Sequence, residues 1–235
     1  MPDALTSFFR SGNMLRSRDV STRVLTATLD VPAPPPRLVA DWQREITSRL
    51  MLDAGDVEQM PLARTQTRWP ETARCIQAMR DWTRALGWQD VLAHSDMALM
   101  ACRGARYHHD GGQYGGAAFC NLFLSDDKGL DVHFPGTGHR IPLVRGTALV
   151  FDTCQPHAVV PRNGSRFDEA DFPADQDLSQ LFLSWELPID TPAVAQTLGI
   201  RFDVAPQAAA RCDDEQVWVN GARAELDPAC GQWLG

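Results

Sequence analysis

The sequence has no apolar run approaching the ~20 residues needed to span a bilayer. Its first twenty residues, MPDALTSFFRSGNMLRSRDV, lack the continuous apolar segment of a secretory leader. It has no excess of basic residues: 22 Lys+Arg stand against 30 Asp+Glu, a formal net charge of −8. That balance argues against broad binding to nucleic acid, which draws on clustered cations. It argues equally against docking on an anionic membrane. No two of the six cysteines (Cys75, Cys102, Cys120, Cys154, Cys212 and Cys230) stand at C-x-x-C spacing. The expectation is a cytoplasmic protein with reduced thiols, several of them buried as small hydrophobes. There is no internal repeat and no low-complexity segment. GGQYGG at 111–116 lacks the Gly-Lys-Ser/Thr ending of a phosphate-cradling loop, so its glycines are read as permitting close approach near a site.

What is present is ordinary globular composition: 235 residues, 44% hydrophobic, 22% charged and 8% aromatic. A chain of this length can bury ~70% of its unfolded surface without metal or disulfide staples. One domain over 1–235 is expected, with an N-terminal arm and bracing helices at 1–95, a β core at 96–188, and a C-terminal helix and hairpin at 189–235. Arg10, Arg16, Arg18 and Arg23 read as a solvated or frayed terminus. VPAPPP at 31–36 is a stiff extended connector. Leu38, Trp42, Ile46 and Leu50 fall on one face of a first helix. Ile76, Met79 and Trp82, with Leu86 beyond, stripe a second that follows Pro70 and stops near Gly87. Both stripes are read as scaffold packed on a sheet.

From about residue 96 the pattern changes to short β-like runs at 97–103, 117–125, 130–134, 141–144, 147–151, 157–160 and 178–187. Turns rich in Gly, Pro, Asn and Asp separate them. Seven such runs predict a sandwich or barrel. TPAVAQTLG is a short helix candidate, and QVWV-NG-ARAEL a hairpin, Asn220-Gly221 suiting a type I′ turn.

The informative string is RYHHDGGQYGG, followed later by FDTCQPHAVVPRNGSR. His108 and Asp110 are two residues apart, so at a strand end both side chains reach the same face while His109 points away. Four antiparallel runs lie between them and His157, so parity returns the chain to the same end of the barrel as His157 begins its strand. Two histidines and one carboxylate with open positions make the facial triad that suits non-haem Fe(II) and O₂ chemistry. An oxo-acid chelating that metal through one end would need a cation for a second carboxylate. Arg166, just past the turn at Asn163-Gly164, is the first candidate and Arg162 the second. Tyr114 and Asn121 are candidate contacts to the oxo-acid or substrate, with β-strand packing the plainer reading. His133 and His139 read as partly exposed turn residues and Trp185 as core. Cys154 offers a thiolate that would suit zinc or copper better than iron.

These residues carry a resemblance. The stretch from Arg106 to Arg166 resembles the double-stranded β-helix (jelly-roll, cupin-like) core of the Fe(II)/2-oxoglutarate-dependent dioxygenases, most closely the prolyl-4-hydroxylase-like branch. His108-x-Asp110, the strand GTALVFD, His157 and the following Gly-x-Arg carry it. The resemblance implies a mainly β fold with flanking α-helices. It implies His108, Asp110 and His157 as metal ligands and Arg166 as the 2-oxoglutarate anchor. Fe(II), 2-oxoglutarate and O₂ are the implied cofactors and co-substrates, with ascorbate as a supporting reductant. It implies hydroxylation with release of succinate and CO₂. Asp110 stands where related halogenases carry a small residue, which favours hydroxylation. The segment FDEADFPADQD (167–177) departs from the family by intervening before the last core strand, and is read as a lid or substrate loop. A small molecule, such as an amino acid or biosynthetic intermediate, is the expected substrate. The alternatives are a peptidyl (prolyl-type) hydroxylase, a non-catalytic metal- or ligand-binding β-barrel and, against the acidic balance, a nucleic-acid demethylase.

Overall fold

The strand-forming runs pair into two facing antiparallel sheets in a computed structural model, which describes residues 3–234. In chain order the first elements are β1 (Leu5–Ser11), β2 (Met14–Asp19), β3 (Val24–Thr28), α1 (Pro36–Glu45), β4 (Val57–Met60), α2 (Leu62–Arg68) and α3 (Thr72–Ala85). The core strands follow: β5 (Met97–Cys102), β6 (Ala105–His108), β7 (Ala117–Phe123), β8 (Leu130–Phe134), β9 (His139–Pro142), β10 (Thr147–Asp152), β11 (His157–Pro161) and β12 (Gln180–Pro188). After them come α4 (Pro192–Leu198), β13 (Gln216–Val219) and β14 (Ala222–Arg223).

The larger sheet has the order β3-β10-β7-β12-β5-β4, and the smaller β6-β11-β8-β9. From β5 to β12 the chain passes back and forth between them. This core is a double-stranded β-helix. The larger sheet is covered on both faces, which is why its strands read as nearly unbroken apolar runs. In β10, Ala148 and Val150 join the cluster beneath the helices, while Leu149 and Phe151 face the smaller sheet. In β12, Leu181, Leu183, Trp185 and Leu187 pack toward the helices and Phe182 points between the sheets. Leu38 and Trp42 of α1, Ile46 just after it, and Cys75 and Met79 of α3 are buried in the same cluster, with Leu50, Ile76, Trp82 and Leu86 half-buried against it. The predicted hairpin closes at Asn220-Gly221, both with positive φ (52° and 86°).

Three readings are corrected. Residues 5–19 are not a frayed arm: β1 and β2 form a hairpin whose other edge pairs with β13. Arg18 is wholly buried there, because Asp152 receives it. The alternation of apolar residues in LTSFFRS is too short to outweigh four nearby arginines when the partner lies more than a hundred residues away. Second, the expected runs lacked one: the run at 97–103 is β5 and ends in a turn at Gly104 (φ 69°), and β6 is a further strand in the opposite sheet. Third, the segment 167–177 is not a lid over the predicted mouth. Phe172 is buried, stacks on Phe167 at 5.5 Å, and lies so close to Gly104 that a Cβ there would meet its ring at 2.5 Å. It therefore seals the end of the barrel away from His108, because the β5–β6 turn and the exit of β11 both lie at that end.

Candidate metal centre and its cavity

His108 ends β6 and His157 begins β11, and the two residues are directly opposite partners in the antiparallel pair. Their ring centroids are 4.4 Å apart. Asp110 sits two residues past His108, fixed by its backbone N–H donating to the Thr153 carbonyl at 2.8 Å. His108 Nε2 lies 3.7 Å from Asp110 Oδ1, and His157 Nε2 lies 3.7 Å from Asp110 Oδ2. One donor atom from each residue falls within 4.8 Å of the others. Four strands, β7 to β10, lie between β6 and β11 and bring the chain back to the same end of the barrel.

Both imidazoles are held in the tautomer a metal needs. His108 Nδ1 donates to the Arg106 carbonyl at 2.7 Å, and His157 Nδ1 to the Gln155 carbonyl at 2.9 Å. This leaves each Nε2 lone pair facing Asp110. Burial first, then the neighbouring His108, pushes the His157 pKa well below its ordinary value. Burial raises the Asp110 carboxyl, with His108 opposing. Asp110 Oδ2 is buried with no hydrogen-bond partner. An orphaned carboxylate oxygen beside two imidazoles is a donor set that a divalent cation satisfies.

The triad opens into a cavity of about 690 Å³ between the sheets. Its inner wall is apolar, with Ala105, Phe123, Val132, Phe151, Val159 and Phe182. Asn121 and Tyr114 are both on the wall. Asn121 is 7% exposed with Oδ1 unpartnered, and burial raises the Tyr114 phenol. Sequence reading missed Gln59 of β4, which the helix-rich look of 1–95 concealed. It also missed Ser184 and Glu186, which the two-residue alternation of LSQLFLSWEL would have revealed. Gly111 permits the close approach expected of it: a Cβ there would stand 2.8 Å from Cys154 Sγ.

Neither candidate anchor lines this cavity. Arg166 is exposed. Arg162 pairs with Asp127 at 2.7 Å and Asp131 at 3.1 Å. The parity that placed Arg166 inward assumed strand geometry through Asn163-Gly164, whereas the chain turns outward so that the Phe167 N–H reaches the Ala229 carbonyl at 2.8 Å. Cys154 is fully buried against Arg18 and Ser7, and burial raises its thiol to about 12, so it stays protonated. His133 bonds Tyr107 Oη at 2.6 Å through Nδ1, His139 is exposed, and Trp185 is core.

Burial lowers the pKa of His109, His133 and His157 alike. The unfolded chain therefore takes up protons as pH falls through about 6.5 that the folded chain refuses, and stability drops there. The raised carboxyls of Asp110 and Glu186 act with the opposite sign. The metal-free protein should have a lower urea midpoint at pH 5.5 than at 7.5, with a smaller difference in His157→Gln. Equal midpoints in the parent would refute the burial account.

No protein-family model matches the chain and no curated protein matches it in sequence. In structure it is similar to a Pseudomonas putida prolyl-4-hydroxylase, at 17% identity and a TM-score of 0.43 over 70% of this chain and 92% of that one. It is similar to the viral collagen prolyl hydroxylase of Paramecium Bursaria Chlorella virus-1 at 13% identity and a TM-score of 0.39, over 69% and 94%. The non-heme alpha ketoglutarate dependent epimerase SnoN from nogalamycin biosynthesis is similar at 15% identity and a TM-score of 0.36, over 88% and 92%. These likenesses are of fold. What its site can do is read from its own residues. Among the described residues, no helix is long and apolar enough to cross a membrane.

Proposed function

We propose that the chain is an Fe(II)-dependent oxygenase that uses a 2-oxo acid of the 2-oxoglutarate type and O₂ to hydroxylate a small molecule. The supporting observation is the triad: two imidazole Nε2 atoms, oriented by backbone carbonyls, each 3.7 Å from a buried carboxylate that lacks any other partner. His108, Asp110 and His157 would hold the ion, leaving positions for a bidentate oxo-acid. Ferrous iron in such a set supplies activation of O₂. The chain does the rest. Phe151, 4.7 Å from the His157 ring, and Val132 keep water from that side. Asn121 offers its free carbonyl oxygen to a donor on the bound substrate. Tyr114 and Gln113 line the rim near Asp110 and would orient substrate. The cavity volume suits a small molecule. Six free thiols fit a reducing compartment such as the cytoplasm.

Anaerobic Fe(II) with a saturating 2-oxo acid should give a weak visible charge-transfer band, and His157→Ala should lose it. Iron that binds without producing a band for any 2-oxo acid favours a non-catalytic metal-binding barrel.

A further inference from the structure

Among the described residues, the cavity has no cation on its wall. The residues lining it include three carboxylates, Asp96, Asp110 and Glu186, and neither lysine nor arginine. Lys128, the only lysine of the sequence, is held outside it by Asp177 at 2.7 Å and the Ser179 carbonyl at 2.6 Å. A ferrous ion, ionised Asp110 and the chelating carboxylate of an oxo-acid sum to zero charge. A second carboxylate at the far end would be buried without compensation, at a cost that proteins avoid by pairing or neutralising it.

Behind the wall, next to Cys102 and Phe182, lies an unpartnered amide. Gln180 begins β12 and shares the face that presents Phe182 and Ser184 to the cavity. It is paired across the sheet with Cys102, another wall residue. It is 0% exposed, and neither its Nε2 nor its Oε1 has a hydrogen-bond partner. A wholly buried amide missing both donor and acceptor partners is costly unless something else meets it. The apolar residues nearby, Cys102, Phe123 and Phe182, suit an alkyl chain.

We propose that this site selects a 2-oxo acid with an uncharged tail, and that Gln180 is the specificity-determining residue at its far end. This rests on the oxygenase reading above. The balance is unchanged by the tail: R–CO–COOH, O₂ and a substrate C–H become R–COOH, CO₂ and C–OH. The 2-oxo acid is oxidised as its C1–C2 bond breaks, one oxygen atom entering the new acid and the other the substrate.

The test is an anaerobic titration of the Fe(II)-loaded protein, read by the visible band and by calorimetry. The probes are 2-oxoglutarate, its 5-amide 2-oxoglutaramate, and 4-methyl-2-oxopentanoate. Both neutral acids should bind at least ~10-fold more tightly than 2-oxoglutarate. Gln180→Leu should keep 4-methyl-2-oxopentanoate and lose 2-oxoglutaramate by ~10-fold. Gln180→Lys should move the preference to 2-oxoglutarate. Should the lysine variant not fold, the wild-type and leucine titrations decide alone. Wild-type protein that binds 2-oxoglutarate as tightly as either neutral acid overturns the tail assignment and leaves the oxygenase reading standing. Iron-loaded protein that binds none of the three overturns both.

Discussion

Arg18→Met should destabilise the protein by about 3–5 kcal/mol, the cost of breaking a buried ion pair from one side. Both partners are fully buried, and the guanidinium grips Asp152 twice, at 2.6 and 2.8 Å. Its remaining N–H groups donate to the Gly115 carbonyl at 2.9 Å, the Asp19 carbonyl at 3.0 Å and Cys154 Sγ at 3.2 Å. All five donors of the arginine are therefore used. Burial pulls its pKa down most, and the charge and hydrogen bond of Asp152, with smaller contributions from Cys154 and Asp19, together more than offset this, leaving it raised. Asp152 in turn accepts from the backbone N–H groups of Ser21 and Cys154, at 2.8 and 3.0 Å. Without Arg18 its charge is stranded at the end of β10, in the segment leading to His157. For a domain of this size, thermal unfolding should fall by roughly 6–20 °C. Arg16→Ala, which breaks the exposed pair with Asp203, should cost no more than about 1 kcal/mol. Scanning calorimetry of the two variants would show the contrast, and an Arg18→Met protein as stable as Arg16→Ala would refute the role given to this pair.

Asp110→Ala should have the reverse profile. Loss of a partner outside the ligand set alone costs 10–100-fold in metal affinity, so losing the only anionic ligand should weaken Fe(II) binding by at least ~100-fold. The metal-free variant should be as stable as the parent or more so, because the carboxylate oxygen removed has no partner in the fold and its burial is unfavourable. Metal titration by calorimetry, using Co(II) or Mn(II) as air-stable probes, with a melting curve on the metal-free protein, reads both quantities. A variant that binds metal like the parent, or that loses several kcal/mol without it, would make Asp110 a structural residue.

The contrast between Arg18 and Asp110 parallels what the sequence made legible. The β grammar after residue 96, the helical stripes over 36–85 and the Asn220-Gly221 turn were readable because each is set by neighbours within a few residues. His108, Asp110 and His157 were readable for a different reason. Antiparallel strands have two ends, so counting the strands between two strand-end residues says whether they share one. That arithmetic fails wherever the chain leaves the ladder. It failed for Arg166, where the turn after β11 carries the arginine outward. It failed for 167–177, whose two phenylalanines close the far end of the barrel instead of its mouth.

By itself, the sequence determined the local periods, and through them a β sandwich or barrel and the two-residue spacing that aims His108 and Asp110 together. Only the tertiary structure decided which charges are buried and which are free. It placed Arg18 in the interior, Arg166 in solvent and an unpartnered amide, Gln180, behind the cavity-wall residues Cys102 and Phe182. The reason is that a charge is stabilised by whatever surrounds it in space, and no short-range pattern encodes a partner 134 residues away.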